Sequence, residues 1–155
     1  MGVKAADIMQ REVISVQEDL PIADLVELLY DHRISGVPVV GEAGNLIGVI
    51  SATDVLLGDM VLGQAPVMET DYHTHVDIHA DNWEVMRIEP EDDRRVRDLM
   101  STGVITVQPD TPIDELARIM FANRIHRLIV LAGEQLVGIG TTMDILRAVM
   151  EKKVS

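Results

Sequence analysis

Residues 48–54 read Gly48-Val49-Ile50-Ser51-Ala52-Thr53-Asp54, and residues 138–144 read Gly138-Ile139-Gly140-Thr141-Thr142-Met143-Asp144. Each stretch ends an apolar run and begins a helix-like run, with a hydroxyl residue three positions before an aspartate. The likeness continues toward both ends of the chain, at an offset of 91 positions up to Val40 and Leu131 and of 90 thereafter. A period this long indicates a duplicated module rather than a solenoid repeat. Function is therefore expected between the two copies.

Each copy predicts the same order of elements: strand, helix, strand, strand, helix. In copy one, residues 21–32 have apolar positions at helical spacing, and the β-branched runs 36–40 and 46–50 flank a glycine-containing turn, which predicts a hairpin. A small sheet faced by two helices cannot cover itself, so we expect the copies to pack face to face. The other predicted elements are the helix 53–62 and, in copy two, the helix 112–123, the strands 127–131 and 135–139, and the helix 142–152.

The duplication divides the chain into residues 1–62 for copy one, residues 63–95 for an intervening segment, and residues 96–155 for copy two. From Asp59 to Asp93 the sequence contains ten acidic residues and one arginine. A loop of this length in a compact chain is typical of a functional or mobile segment. Four of its residues alternate and could form a metal site on one strand face, although a polar loop is the favoured interpretation. They are His73, His75, Asp77 and His79.

The composition of the 155-residue chain narrows its class. Apolar residues make up 47% of it and aromatic residues 3%, so we expect an aliphatic core in which methionines fill the gaps. The net charge of −13 argues against a nucleic-acid surface, which needs a basic stripe. The absence of cysteine excludes a disulfide framework. Because no apolar run has the length of a signal peptide or a membrane span, we expect a cytoplasmic protein without a membrane segment.

The pairs Ser51/Asp54 and Thr141/Asp144 have two interpretations. A hydroxyl residue three positions before an acid is typical of a capping box, which satisfies free amides at the start of a helix. Alternatively, the free amides and the positive end of the helix dipole bind a phosphate, while the carboxylate accepts two hydrogen bonds from a ribose diol. The glycine three positions before each hydroxyl residue favours the second interpretation, because a glycine lets a ligand approach the backbone closely.

The repeated Gly-h-h-Ser/Thr-x-x-Asp pattern resembles that of cystathionine-β-synthase (CBS) domain pairs, also called Bateman modules. The stretches Arg33-Ile34-Ser35-Gly36-Val37-Pro38 and Asn123-Arg124-Ile125-His126-Arg127-Leu128 add to the resemblance. The family implies an α/β (α+β) fold of two βαββα repeats packed around a pseudo-two-fold axis, with two clefts that bind adenosine-containing ligands. Copy two departs in having Ile129 where copy one has Pro38, and Gly140 where the family usually has an apolar residue.

In the family, each cleft takes its ribose-binding aspartate from one repeat and its adenine and phosphate contacts from the other. The resemblance therefore implies two sets of ligand-binding residues. Cleft one comprises Ser51, Thr53 and Asp54 with Val104, Ile105, His126 and Arg127. Cleft two comprises Thr141, Met143 and Asp144 with Val13, Ile14, Ile34 and Ser35.

The dipeptide His126-Arg127 is a locally basic spot of the kind that an acidic protein needs to bind a phosphate. It resembles the phosphate-binding Ile-His-Arg-Leu of AMP-activated kinase gamma subunits. The corresponding positions in copy one, Ser35 and Gly36, carry no charge. We therefore expect an adenosine phosphate to bind more tightly in cleft one than in cleft two. The alternative role for His126 and Arg127 is that of solvated turn residues.

The resemblance implies a regulatory module that binds AMP, ADP or ATP, alone or with Mg²⁺, and requires no cofactor. It is expected to act on an unidentified partner through a ligand-dependent change of shape, and to form a homodimer through apolar helix faces left over by the fold. The sequence offers no nucleophile–base pair, so no enzymatic activity is expected. No metal site is expected either, because a polar loop is the favoured interpretation of the alternating histidines. The alternatives are a ligand-free oligomerisation and interaction scaffold, and a module that binds S-adenosylmethionine.

Overall fold

A computed structural model describes residues 2–60 and 93–151. The elements of repeat one are α1 (Ala5–Ile8), β1 (Val16–Gln17), α2 (Ile22–His32), β2 (Gly36–Val40), β3 (Leu46–Ser51) and α3 (Ala52–Met60). The elements of repeat two are α4 (Val96–Leu99), β4 (Thr106–Val107), α5 (Ile113–Asn123), β5 (Arg127–Ala132), β6 (Gln135–Thr141) and α6 (Thr142–Met150). The strand–helix–strand–strand–helix order predicted for each copy is confirmed. Each repeat has in addition a short leading helix.

Each repeat contains one three-stranded sheet, ordered β1-β2-β3 in repeat one and β4-β5-β6 in repeat two. The first two strands of each sheet are parallel and the last two form an antiparallel hairpin. Successive side chains of a strand point to opposite faces. Leu128 and Val130 of β5 accordingly pack in the helix-side core of repeat two, whereas Ile129 packs with Val49 of repeat one. The two sheets therefore meet face to face, as predicted.

The leading helix of each repeat packs on the opposite repeat. The backbone N–H of Ala5 donates to the carbonyl oxygen of Thr111 at 2.8 Å, and that of Val96 donates to the carbonyl oxygen of Leu20 at 2.9 Å. Ala5 belongs to the apolar core of repeat two, and Val96 to that of repeat one. Since Ala5 corresponds to Val96 and Leu20 to Thr111, the two contacts are equivalent, which confirms the predicted pseudo-two-fold relation.

Gly48 and Gly138 make room for the leading segments that pack on the opposite repeat. A Cβ atom on Gly48 would lie 2.6 Å from the carbonyl oxygen of Ser101, and one on Gly138 would lie 2.6 Å from the sulfur of Met9. Ser101 exchanges two backbone hydrogen bonds with Val49, of 2.8 and 2.9 Å. The space beside each glycine is thus filled by the leading segment of the other repeat. The prediction that these glycines admit a ligand was wrong for this reason.

The helix and strand ends differ from the predicted bounds by one or two residues. Pro21 and Pro112 are N-caps in extended conformation rather than helical residues. The strand β6 continues beyond residue 139 because Arg127 still pairs with Thr141 in the hairpin. The predicted helix end at residue 62 lies outside the described residues. The helix α6 ends at Met150, with Glu151 as its C-cap, two residues before the predicted end.

The intervening segment lies almost entirely outside the described residues, and so does its group of alternating histidines. Within residues 2–60 and 93–151, no three His, Cys, Asp or Glu side chains are placed to hold a metal ion. No helix of that same part of the chain is long and apolar enough to cross a membrane.

Candidate ligand-binding site

The starts of α3 and α6 carry the same hydrogen-bonded arrangement. The backbone N–H and the hydroxyl of Ser51 donate to Oδ2 of Asp54 at 2.8 and 3.1 Å, and the N–H of Asp54 donates back to the Ser51 hydroxyl at 3.2 Å. The corresponding bonds between Thr141 and Asp144 are 2.9, 2.9 and 3.2 Å long. Both sites are therefore capping boxes, which was the local interpretation of the sequence pattern.

The capping box uses only one oxygen of the Asp144 carboxylate. The other, Oδ1, accepts a hydrogen bond from the Arg147 guanidinium at 2.5 Å and a longer one from the Gln10 amide at 3.4 Å. The Asp144 side chain is 1% exposed, whereas that of Arg147 is 55% exposed. Because Oδ1 takes no part in the capping box, capping does not exclude a second role for this carboxylate.

Both hydroxyl residues lie on the face of the sheet that meets the other repeat. Ser51 follows Val49 by two positions along β3, and Thr141 follows Ile139 by two positions along β6. Residues two positions apart share a face of a strand. Val49 and Ile139 pack in the apolar cluster between the sheets. The two helix starts are consequently directed to the region between the copies.

Arg127 crosses from repeat two to repeat one at this region. Its guanidinium donates a hydrogen bond to the hydroxyl of Ser35 at 3.2 Å. The carbonyl oxygen of Ser35 accepts from the backbone N–H of Ala52, the first residue of α3, at 2.8 Å. The guanidinium therefore lies close to the N-terminus of α3, where its charge adds to the positive end of the helix. The contact also joins the predicted clefts, because Arg127 was assigned to cleft one and Ser35 to cleft two.

His126 occupies the position of Ser35 in repeat two. Its carbonyl oxygen accepts from the backbone N–H of Thr142 at 2.9 Å and from the Thr142 hydroxyl at 3.2 Å. The residue itself is exposed at the start of α6. The backbone of His126 thus supports the helix start.

The structure does not gather the predicted apolar contacts into one cluster. Val104 packs against the cluster between the sheets, Ile105 against the core of repeat two, and Ile34 against the core of repeat one. Met143 is 70% exposed on α6, and Ile14 is exposed as well. The remaining predicted residues, Val13 and Thr53, are half-buried.

A pocket of about 340 Å³ adjoins Asp144, between α1 of repeat one and α6 of repeat two. Its polar lining includes Gln10 and Arg147, neither of which the sequence analysis singled out. A signal for Arg147 was present, because it lies one helical turn after Asp144 and corresponds to Leu57 in copy one. No pattern in the sequence pointed to Gln10, which reaches Asp144 across 134 positions of chain.

Comparisons with known proteins agree on one family. A family model of the CBS domain matches residues 5–59 and 96–151. An uncharacterized protein of Methanocaldococcus jannaschii is 31% identical, and the alignment covers 93% of this chain and 89% of that protein. The chloroplastic CBS domain-containing protein CBSX2 of Arabidopsis thaliana is 27% identical, over 98% of this chain and 66% of that protein.

Two crystal structures have the same fold. That of CBSX2 in complex with AMP has a TM-score of 0.71 at 24% identity, and covers 98% of this chain and 99% of its own. That of another CBS domain pair, in complex with 5′-methylthioadenosine and S-adenosyl-L-methionine, has a TM-score of 0.66 at 22% identity, with the same coverage. Since the family model matches both repeats over most of the sequence, the chain belongs to the family of CBS domain proteins.

Proposed function

We propose that this protein is a regulatory module that binds an adenosine phosphate between its two repeats. The observation that carries the proposal is the position of the Arg127 guanidinium, which comes from repeat two and lies beside the start of α3 in repeat one. The related CBSX2 has been crystallised in complex with AMP. An arginine at a helix N-terminus is suited to bind a phosphate.

In this arrangement the phosphate replaces the Ser35 hydroxyl as the acceptor of the Arg127 guanidinium. The ribose diol donates to the Asp54 carboxylate on the same helix start. The ligand then contacts both repeats at once, so its affinity depends on their relative arrangement. Binding favours the arrangement that it contacts best, and a partner protein that distinguishes the two arrangements receives the signal.

Replacing Arg127 by alanine tests the phosphate site. The Arg127→Ala protein loses a charge-assisted hydrogen bond, and we expect its calorimetric affinity for AMP and ATP to fall about 10- to 100-fold. Arg118→Ala is the matched control, because Arg118 is an exposed arginine of the same repeat that pairs with Asp114 and Glu115 on α5. Unchanged affinity of the Arg127→Ala protein for both nucleotides would show that the phosphate binds elsewhere.

S-Adenosylmethionine is the alternative ligand. The chain resembles in fold a CBS domain pair whose crystal structure contains this ligand. This ligand has a carboxylate and no phosphate, so its affinity should depend on Arg127 less than that of AMP or ATP. Tighter binding of S-adenosylmethionine than of AMP or ATP, with a smaller loss of affinity in the Arg127→Ala protein, would identify it as the ligand in place of the nucleotide. If the pure protein contains no ligand and binds none of the three, the scaffold alternative is preferred.

We also propose that the protein is a cytoplasmic homodimer without catalytic activity. Exposed apolar side chains on α5 and α6 support the dimer, among them Phe121 and Leu146. The cysteine-free composition is consistent with the cytoplasm.

A further inference from the structure

The carboxylate of Asp144 is fully occupied by groups of the protein itself. An ionised carboxylate offers about four lone-pair positions, two on each oxygen. Oδ2 accepts from the backbone N–H and the hydroxyl of Thr141. Oδ1 accepts from Arg147 and from Gln10. A ribose diol, which must donate two hydrogen bonds to this carboxylate, therefore finds no vacant acceptor position.

Arg147 is the stronger of the two donors outside the capping box, so it is the donor against which a ligand chiefly competes. The capping bonds from Thr141 hold the start of α6, so losing them would cost helix stability. The Gln10 bond is long at 3.4 Å and neutral. The Arg147 side chain is 55% exposed, so water can solvate the guanidinium once it leaves Asp144. The buried carboxylate would at the same moment receive the two hydroxyl groups of the ribose in place of Arg147 and Gln10.

The two clefts differ at this position. The residue one turn after Asp54 is Leu57, which has no hydrogen-bond donor in its side chain. Competition by a side chain of the same helix turn is thus a property of repeat two alone. The positive charge of Arg127, expected to bind the phosphate, belongs to the predicted cleft one.

We propose that Arg147 is an internal competitor for the ribose diol at cleft two, and that it lowers the affinity of this cleft for the ribose. The inference rests on the proposed function, since it presupposes that Asp144 binds a ribose. Filling of cleft two requires that Arg147 leave Asp144, and it also breaks the contact of Asp144 with Gln10 in the leading segment of repeat one.

Adenosine titrations of Arg147→Leu protein test the competition. The substitution introduces the residue type that copy one has at the equivalent position. It is made in an Asp54→Ala background, so that only cleft two can bind ribose. Adenosine carries no charge, so the substitution removes no charge attraction between Arg147 and the ligand itself. We expect the calorimetric affinity for adenosine to rise about threefold to tenfold, the range of a half-exposed charged hydrogen bond.

Two further measurements separate competition from a structural role of Arg147. Raising the ionic strength should strengthen adenosine binding to the protein that retains Arg147, because salt screens the competing ion pair, and should leave the Arg147→Leu protein unchanged. Arg147→Lys keeps the charge without the planar fork and should fall between the two. Arg118→Leu in the same background is the control. Arg118 forms a comparable ion pair with Glu115, one helical turn away, on an exposed surface.

Three results would overturn the inference. Weaker adenosine binding by both Arg147→Leu and Arg147→Lys would show that Arg147 positions the carboxylate instead of competing for it. Unchanged affinity in both would show that the pair has no bearing on ribose binding. Either result leaves the proposed function intact as long as Asp144→Ala abolishes binding in the same background. If the intact chain binds neither AMP nor ATP, the proposed function fails first and this inference fails with it.

Discussion

At the scale of single residues, Asp54 and Asp144 have a structural and a proposed ligand-binding role in the same carboxylate. Each accepts the capping hydrogen bonds of its own helix start. We predict that Asp54→Ala and Asp144→Ala each lower the free energy of unfolding by about 0.5–2 kcal/mol, because a cap is lost. Asp144→Ala also leaves Arg147 and Gln10 without this partner. Urea unfolding measures both effects.

The same two variants should each remove one binding site and leave the other, because the aspartates serve different clefts. Calorimetric titration with AMP measures the number of sites that remain in each variant. Asp54→Asn and Asp144→Asn are the controls, since an amide oxygen can still accept the capping bonds but carries no charge. A loss of stability with full stoichiometry in both alanine variants would reduce the aspartates to capping residues.

At the scale of elements, the glycines of β3 and β6 differ in the space that surrounds them. We predict that Gly48→Ala lowers the free energy of unfolding by about 1–3 kcal/mol, because its Cβ would meet the Ser101 carbonyl at 2.6 Å. Gly140→Ala should instead raise it by about 0.4–1 kcal/mol, because a Cβ there meets no atom within 4 Å and alanine restricts the unfolded chain. Denaturant titrations compare the two, and equal destabilisation by both would contradict the difference in packing.

At the scale of the whole molecule, the apolar surface of repeat two predicts a dimer. Phe121 is 88% exposed and Leu146 is 54% exposed, and further apolar residues of α6 extend this surface. Tyr30, the counterpart of Phe121 in repeat one, is exposed as well. Monomeric proteins rarely leave a large contiguous apolar surface uncovered, and an isologous dimer covers the same surface on both subunits.

Sedimentation analysis of a Phe121→Glu/Leu146→Glu double variant tests this interface. We expect a dimer at micromolar concentration for the unaltered chain and a monomer for the variant, because two charges would be buried without partners. Arg118→Glu, a charge change on another exposed position of α5, should remain dimeric. If the unaltered chain sediments as a monomer, the prediction of a dimer is wrong, and the fold is unaffected.

Most of the fold and half of the site could be predicted because they depend on neighbours in sequence. Helices and strands follow from the periodicity of apolar residues, and the hairpins from two β-branched runs around a short turn. The hydroxyl and the aspartate of each helix start lie three positions apart, so their contact is a local one whatever the tertiary structure does. The duplication itself implied that the same local structure forms twice and that two half-covered sheets pack together.

The sequence by itself therefore determined the two repeats, the order of their elements and the capping boxes. Only the tertiary structure decided which repeat each leading helix completes, why Gly48 and Gly138 are glycines, and that Arg127 meets Ser35. It also decided that Gln10 and Arg147 share the carboxylate of Asp144. The physical reason is that these contacts join side chains far apart in sequence, and they form only where the packing of the two sheets brings the chain segments together. Residue spacing carries no information about a partner that lies in the other repeat.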